Sequence, residues 1–403
     1  MTDQHSIAVA QKPNRPIRVL LWSPGGSGEH YHGPGSFSYR LYSTAESKRF
    51  EITLAHGSPT QARYSLFREQ HLIHPLTGGA WPTWRFLRKA DRWIDSHHGE
   101  FDIMHGLGGF HLTVAPAFRA HKNNLPSVVF MTLHRVELTD KPGLRGMLGL
   151  AAKRREMVKQ IEGVIAMSQA IYDELIEIGV SESRIARIPM GVDTTRFHPP
   201  RSEQERSELR RSFGWRDLPT LVFVGGISSR KRPHLLLEAI GLLKKMRLEC
   251  QLALVGPDQE PGYCEQMKQR AKELGIEDLV IWFGFSSDVA PIFRACDFFG
   301  LPSLSEGMPA ALVEALATGL PSIVTAISGT TDLVESGVNG CVIEPDAQQI
   351  ADALAVYLRN PSITAAHRAA AVSKVAGRFS ASAVLGAYER MFKRIIAGGD
   401  AAE

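Results

Sequence analysis

The chain has 403 residues, 44% of them apolar and 22% charged, with a formal net charge of +4. At roughly 150 residues per domain it has room for two or three domains, and the composition excludes a disordered chain, a collagen-like repeat and a disulfide-stapled miniprotein. So small a net charge makes no case for nucleic acid, and no nucleic-acid partner is expected.

The four cysteines, Cys250, Cys264, Cys296 and Cys341, form no C-x-x-C pair. They read as small buried residues of a reducing compartment. No stretch reaches the roughly 18 consecutive apolar residues of a membrane span. Residues 1–16 are polar, without an apolar core and a small-residue cleavage site, so a cytoplasmic protein is the expectation. Charge is unevenly placed. Residues 1–197 carry 24 Lys+Arg against 18 Asp+Glu, whereas the remainder carries 22 against 24. That asymmetry suggests two lobes with different partners, one of them anionic.

In chain order, residues 18–22 (R-V-L-L-W) form a short apolar run that ends in a glycine-rich turn at 23–28. Further short buried strands are predicted at 50–55, 101–105, 127–133 and 163–167, with helices at 82–97 and 147–161. Buried strands alternating with helices imply parallel βαβ units, because a parallel sheet is covered on both faces. The helix at 82–97 has an apolar stripe (Trp84, Leu87, Ile94) beside a basic one (Arg85, Arg88, Lys89, Arg92), and Lys153-Arg154-Arg155 form a second basic cluster. Such helices either rest on anionic lipid headgroups or present a solvated face over a core. The first alternative implies a lipid-linked acceptor and peripheral contact with an anionic membrane.

Residues 189–218 separate the halves, and the same grammar restarts at Pro219. Strands are predicted at 220–224, 251–255, 279–283, 298–301, 322–324 and 341–343, with a helix at 233–245 opened by Pro233. The expectation is two doubly wound α/β domains. Ligands of such sheets bind beyond the carboxyl ends of the strands, so two facing lobes create an interdomain cleft.

The densest constellation runs from Ser305 to Ala315. A strand ends near Leu301, a loop carries Glu306 and Gly307, and Pro309 stands where a helix begins. A helix start exposes unpaired N–H groups and about half a positive charge, a seat for phosphate. Glu306 and Glu314 flank that seat, and carboxylates there suit hydroxyls on either side of a diphosphate. A capped helix with a surface carboxylate is the alternative. There is no D-x-D triplet and no His or Cys cluster of metal-ligand spacing, so no metal or other cofactor is expected.

With these residues the chain resembles the retaining GT-B glycosyltransferases of family 4. The family's E-x7-E signature matches Glu306 and Glu314, within E-G-x-P-x-x-x-x-E-A from Glu306 to Ala315. The segment Ile165-Ala166-Met167-Ser168 is similar to the family's strand into the crossing. Ile188-Pro189-Met190-Gly191-Val192-Asp193 is similar to its interdomain segment, with Met190 in place of Asn. Phe223-Val224-Gly225 with Lys231 is similar to its first donor-lobe strand and phosphate lysine. The family's Arg after that glycine is replaced by Gly226.

The resemblance implies a GT-B fold of two Rossmann-like domains: an acceptor-side domain at 1–195, rejoined by a C-terminal helix at 381–403, and a donor-binding domain at 196–380. It implies transfer of a sugar from a nucleoside-diphosphate sugar, UDP favoured, to a hydroxyl on a sugar, glycan or lipid-linked acceptor. By the same resemblance Glu306, Lys231 and His134 serve the reaction, Glu306 and His134 holding the donor sugar. Glu314 takes the ribose. Gly307, Met308, Pro309, Ala310, Ala311 and Leu312, with Gly25, Gly26, Gly225 and Arg230, surround the phosphates. The base falls near Phe285. His105 and His111 are weaker candidates at a strand end. Two alternatives stay open: a GT-B sugar-nucleotide epimerase, and a catalytically impaired nucleotide-sugar-binding partner subunit suggested by Gly226.

Overall fold

The computed structural model describes residues 15–28, 34–44, 48–132, 138 and 150–402. Among them, seven strands form the first sheet: β1 (Ile17–Ser23), β2 (Phe50–His56), β3 (Phe67–Leu72), β4 (Ile103–Leu107), β5 (Ser127–Met131), β6 (Gly163–Ala166) and β7 (Ile185–Ala186). Their order is β3-β2-β1-β4-β5-β6-β7 and every pairing is parallel. The helices of this half are α1 (Pro34–Tyr42), α2 (Ala80–His97), α3 (His111–Lys122), α4 (Leu150–Val158) and α5 (Gln169–Glu177).

Helix α6 (Glu203–Ser212) follows the first crossing. The second sheet comprises β8 (Thr220–Val224), β9 (Gln251–Val255), β10 (Val280–Gly284), β11 (Phe298–Leu301), β12 (Ser322–Thr325) and β13 (Gly340–Ile343). It repeats the plan of the first, in the order β10-β9-β8-β11-β12-β13, again all parallel. Around it lie α7 (Pro233–Lys245), α8 (Tyr263–Glu273), α9 (Ala290–Ala295), α10 (Ala310–Ala317), α11 (Ala347–Arg359) and α12 (Pro361–Ala376), and the chain closes with α13 (Ala381–Ile396). Strand order reverses between β1 and β4 and again between β8 and β11, which opens a crevice at the carboxyl ends in each sheet.

The apolar runs form strands because both faces are covered: Leu20, Leu21 and Trp22 in β1, and Leu221, Val222 and Phe223 in β8, are fully buried. Strand β3 escaped the sequence reading. Its sequence, F-R-E-Q-H-L, is polar because it lies on the sheet edge with most side chains outward. Strand β4 begins two residues later than expected, because a tight turn at His98–Glu100 closes on Phe101, whose amide bonds the His98 carbonyl at 3.3 Å. Only Cys250 and Cys296 are fully buried, because Cys264 and Cys341 lie in half-exposed positions. The apolar stripe of α2 is also corrected. Phe86, Ala90 and Ile94 face the core, whereas Trp84 stands outside and is 47% exposed.

Helix α13 returns to the first lobe. Its cap Ser380 receives the amide of Ala383, and Tyr388, Met391 and Phe392 are fully buried. Phe392 meets Phe50 edge-on at 6.0 Å, Tyr388 meets Tyr42 at 6.4 Å, and Arg49 binds Glu389 at 2.8 Å. Where the chain crosses back, Val192 donates to the Phe379 carbonyl and accepts from the Ala381 amide, both at 2.8 Å. The two crossings therefore run side by side as one hydrogen-bonded strap. Because Phe392 fills first-lobe core, Phe392→Ala is expected to cost about 3–5 kcal/mol, read as a lowered urea midpoint of the full chain. An unchanged midpoint would show that the helix contributes nothing to that core.

Candidate active site

The turns that follow the strands of both sheets face each other across a cavity of about 1100 Å³. It is lined from the first lobe by Gly25, Arg40, Phe110 and Thr132, and from the second by Gly225, Lys231, Glu306 and Glu314. Small-molecule sites typically span about 300–1,000 Å³, so the space suits an extended ligand.

Helix α10 sets the centre. Pro309 is its N-cap, and the first-turn amides of Ala310 and Ala311 have no partner within a helix. Side chains on a helix lean toward its N-terminus, so Glu314, one turn in, returns its carboxylate toward that start. Glu314 is only 7% exposed, and it accepts a 2.8 Å bond from Arg40 of α1, on the opposite lobe. Burial raises the Glu314 carboxyl above the ordinary carboxylate range, while Arg40 and Arg196 pull it back. Glu306 is held by Lys231 Nζ at 2.8 Å and by the Ser303 hydroxyl at 3.1 Å. Each of the two signature carboxylates thus carries a cation.

Two glycines are fixed by contact. A Cβ on Gly307 would lie 1.7 Å from the Thr132 carbonyl oxygen, so this loop seats directly on the end of β5. A Cβ on Gly226 would lie 1.9 Å from the side-chain amide carbon of Gln259. The space where the resembling family begins an arginine is filled here by a glutamine from the loop after β9. Interlobe bonds add to the closure: the Met190 amide to Met308 Sδ at 3.3 Å, Ser168 Oγ to Ser328 Oγ at 3.1 Å, and the Gln169 amide to Asp332 at 3.1 Å.

Of the residues chosen from sequence, Glu306, Glu314, Lys231, Gly25, Gly225, Gly307, Met308, Pro309, Ala310, Ala311 and Phe285 come together on the cavity wall. Three do not. Leu312 is fully buried with its amide bonded to the Pro309 carbonyl at 3.0 Å, and its neighbour Val313 lines the wall instead. Gly26 shapes the turn behind Gly25, donating to the Ser23 carbonyl at 2.8 Å. Arg230 lies beside the cavity, anchoring the Glu306 loop through the Ser305 carbonyl at 2.5 Å and Glu306 at 3.4 Å. His134 lies outside the described residues. His105 is in the core against the Tyr42 hydroxyl at 3.0 Å, its pKa pushed down to about 3 by burial. Arg40 and Gln259 were not found from sequence. Neither carries a motif: Arg40 reaches the cleft from helix α1 of the first lobe and Gln259 from the loop after β9, so only the packing of distant segments places them.

The family model described as Glycosyltransferase Family 4 matches residues 14–196, and that described as Glycosyl transferases group 1 matches residues 205–374. The chain is 29% identical over 279 residues to mannosylfructose-phosphate synthase of Agrobacterium fabrum, covering 65% of this chain and 60% of that protein. It is 28% identical over 251 residues to a GDP-mannose-dependent alpha-mannosyltransferase of Corynebacterium glutamicum, covering 60% and 55%. The chain therefore spans little more than half the length of these curated relatives. Among solved structures, Anabaena HepE in complex with UDP and glucose superposes with a TM-score of 0.75 at 21% identity, over 94% of this chain and 99% of that one. WaaG, a glycosyltransferase involved in lipopolysaccharide biosynthesis, superposes with a TM-score of 0.70 at 18% identity, over 94% and 100%. The shared fold is GT-B.

The Arg40–Glu314 pair has a pH signature. A carboxyl whose folded pKa is raised adds stability at low pH that is lost as pH rises through that pKa. Arg40→Ala removes the opposing charge and raises Glu314 further. The stability deficit of Arg40→Ala is therefore expected to widen as pH rises above the ordinary carboxylate range, and Arg40→Ala/Glu314→Gln to flatten it. Thermal melts over a pH series make the check, and a pH-independent deficit in both variants would count against the pairing.

Proposed function

The chain belongs to the GT-B glycosyltransferases of family 4, and on that premise we propose that it moves a sugar, with retention of configuration, from a nucleoside-diphosphate sugar to a hydroxyl acceptor in glycan, polysaccharide or glycolipid biosynthesis. The observation that carries the reading is the placement of Glu306, Lys231, the α10 start and Glu314 along one wall of the cleft. A diphosphate on the open amides of Ala310 and Ala311 meets the positive end of the helix dipole. Lys231 lies beside it and supplies a full charge. Glu314 accepts from ribose hydroxyls on one side, and Glu306 from the donor sugar on the other.

In the step itself the bond between the sugar and the departing phosphate breaks as the acceptor oxygen attacks the same face. The acceptor proton passes to a phosphate oxygen. What the protein contributes is orientation of both sugars and stabilisation of the leaving charge. Lys231 and the helix start do this without a metal, so turnover is expected to withstand a chelator. Closure about the Val192 strap excludes water from the transfer. UDP is the favoured donor nucleotide. HepE was solved with UDP, and the Corynebacterium relative is named for GDP-mannose, so both stay in the test. The packing of Gln259 into the Gly226 position supports a second reading, a donor-binding subunit of weakened activity.

Calorimetric titration of UDP, GDP and ADP into the wild type and Glu314→Ala separates these readings. One nucleotide is expected to bind the wild type and to lose about tenfold to a hundredfold affinity in the variant, the value of hydrogen bonds to a charged group. Failure of all three nucleotides to bind would end the assignment. Tight binding without any slow hydrolysis of the matching donor would select the binding-subunit reading.

A further inference from the structure

Helix α2 presents two unlike faces. Phe86, Ala90 and Ile94 are fully buried on one side. On the other, Trp81 is 64% and Trp84 47% exposed, the two rings stacked at 5.0 Å and 18°. The same outward face carries Arg85, Arg88, Lys89 and Arg92, all exposed, with the Arg88 guanidinium 5.0 Å above the Trp84 ring. The helix's two acids continue the Trp84–Arg88 line toward α3, where Asp95 is taken by Arg119 at 2.7 Å and by Asn123 at 2.7 Å, and Asp91 feels the same guanidinium. Four cations and two indoles are thus left facing outward together.

We infer that this face docks on an anionic lipid bilayer. Two large indoles on a helix that already has a complete buried face add nothing to the core. Indole rings with a polar N–H settle at the boundary between water and acyl chains, and cations in the same plane meet anionic headgroups. A sugar platform needs free ring faces, whereas Trp84 already has Trp81 and Arg88 upon it. The charge agrees: the six-cation excess of residues 1–197 belongs to this lobe.

Position gives the surface its purpose. In a βαβ unit the helix starts at the carboxyl end of its strand, on the cleft side. Here the link is explicit, since the Leu76 amide donates to the Gly57 carbonyl at 2.8 Å and the Gly57 amide to the Pro24 carbonyl at 3.0 Å. Pro24 and Gly25 line the cavity. The indole pair in the first two turns of α2 therefore stands at the cleft end of this lobe, and docking there turns the cleft mouth toward the headgroup layer.

Flotation on vesicles of neutral phosphatidylcholine, with and without about a third of phosphatidylglycerol, tests this directly. The protein is expected to float with the anionic vesicles at low salt and to release at high salt. Trp81→Ala/Trp84→Ala is expected to weaken partitioning about tenfold. Arg85→Gln/Arg88→Gln/Arg92→Gln should weaken it about a hundredfold, at about a factor of five for each cation near the surface. Both variants alter exposed residues, so thermal melts matching the wild type confirm folding. A wild type that stays behind, equal binding to neutral vesicles, undiminished binding of both variants, or displacement by a soluble oligosaccharide would each overturn the inference. No nucleotide or turnover enters the readout, so its failure leaves the proposed reaction untouched, and the reverse.

Discussion

Two backbone hydrogen bonds at Val192 hold together the segments by which the described chain passes between lobes. The architecture depends on that strap. Because α13 packs its aromatic face into the first lobe, the chain crosses out at residues 189–197 and back near Ser380, and the crossings meet at one parallel bridge between Val192 and Ser380. A single linker would leave the lobes free to tumble. A paired strap ties them at two points of the chain, which narrows the orientations the two sets of turns can take toward each other. The strap costs little sequence, because its bonds are main-chain and ask only that Ser380 reach Val192.

Closure then becomes a question of charge. Two carboxylates on one cleft wall would repel each other and any phosphate between them. The structure settles this by giving each a cation, Lys231 for Glu306 and Arg40 for Glu314, the second from the opposite lobe. A buried carboxylate is costly unless paired, so the Arg40 contact stabilises the closed arrangement as well as the charge. A ligand rich in hydroxyls can take over these bonds one for one, whereas an apolar ligand would strand them. The cleft also tolerates no bulk at its seam, where Gly307 lies against the Thr132 carbonyl.

Much of the fold was legible because parallel strands covered on both faces become continuous apolar runs. Strands β8, β9 and β11 and helix α7 stand where the sequence placed them. Strand β3 was hidden for the converse reason: an edge strand with an outward face has no such run. The signature carboxylates were legible because local spacing places them, one in a loop and one a turn inside the following helix. Leu312 was misplaced because adjacent residues of a helix point in different directions, and its side chain turns inward while Val313 turns to the cavity.

Trp84 marks the limit of the periodicity argument. Helical spacing groups it as readily with Ile94 as with Trp81, and only the packing of Phe86 beneath the helix decides which group is inside. Sequence alone therefore determined the two wound lobes, the helix start between two carboxylates, and the lysine that precedes α7. These depend on hydrophobic pattern and short-range spacing. The tertiary structure decided that Arg40 reaches Glu314, that Gln259 fills the Gly226 position, and which face of α2 meets solvent. Each is a contact between segments distant in sequence, the first across the two lobes and the others within one lobe, a relation that no local pattern encodes.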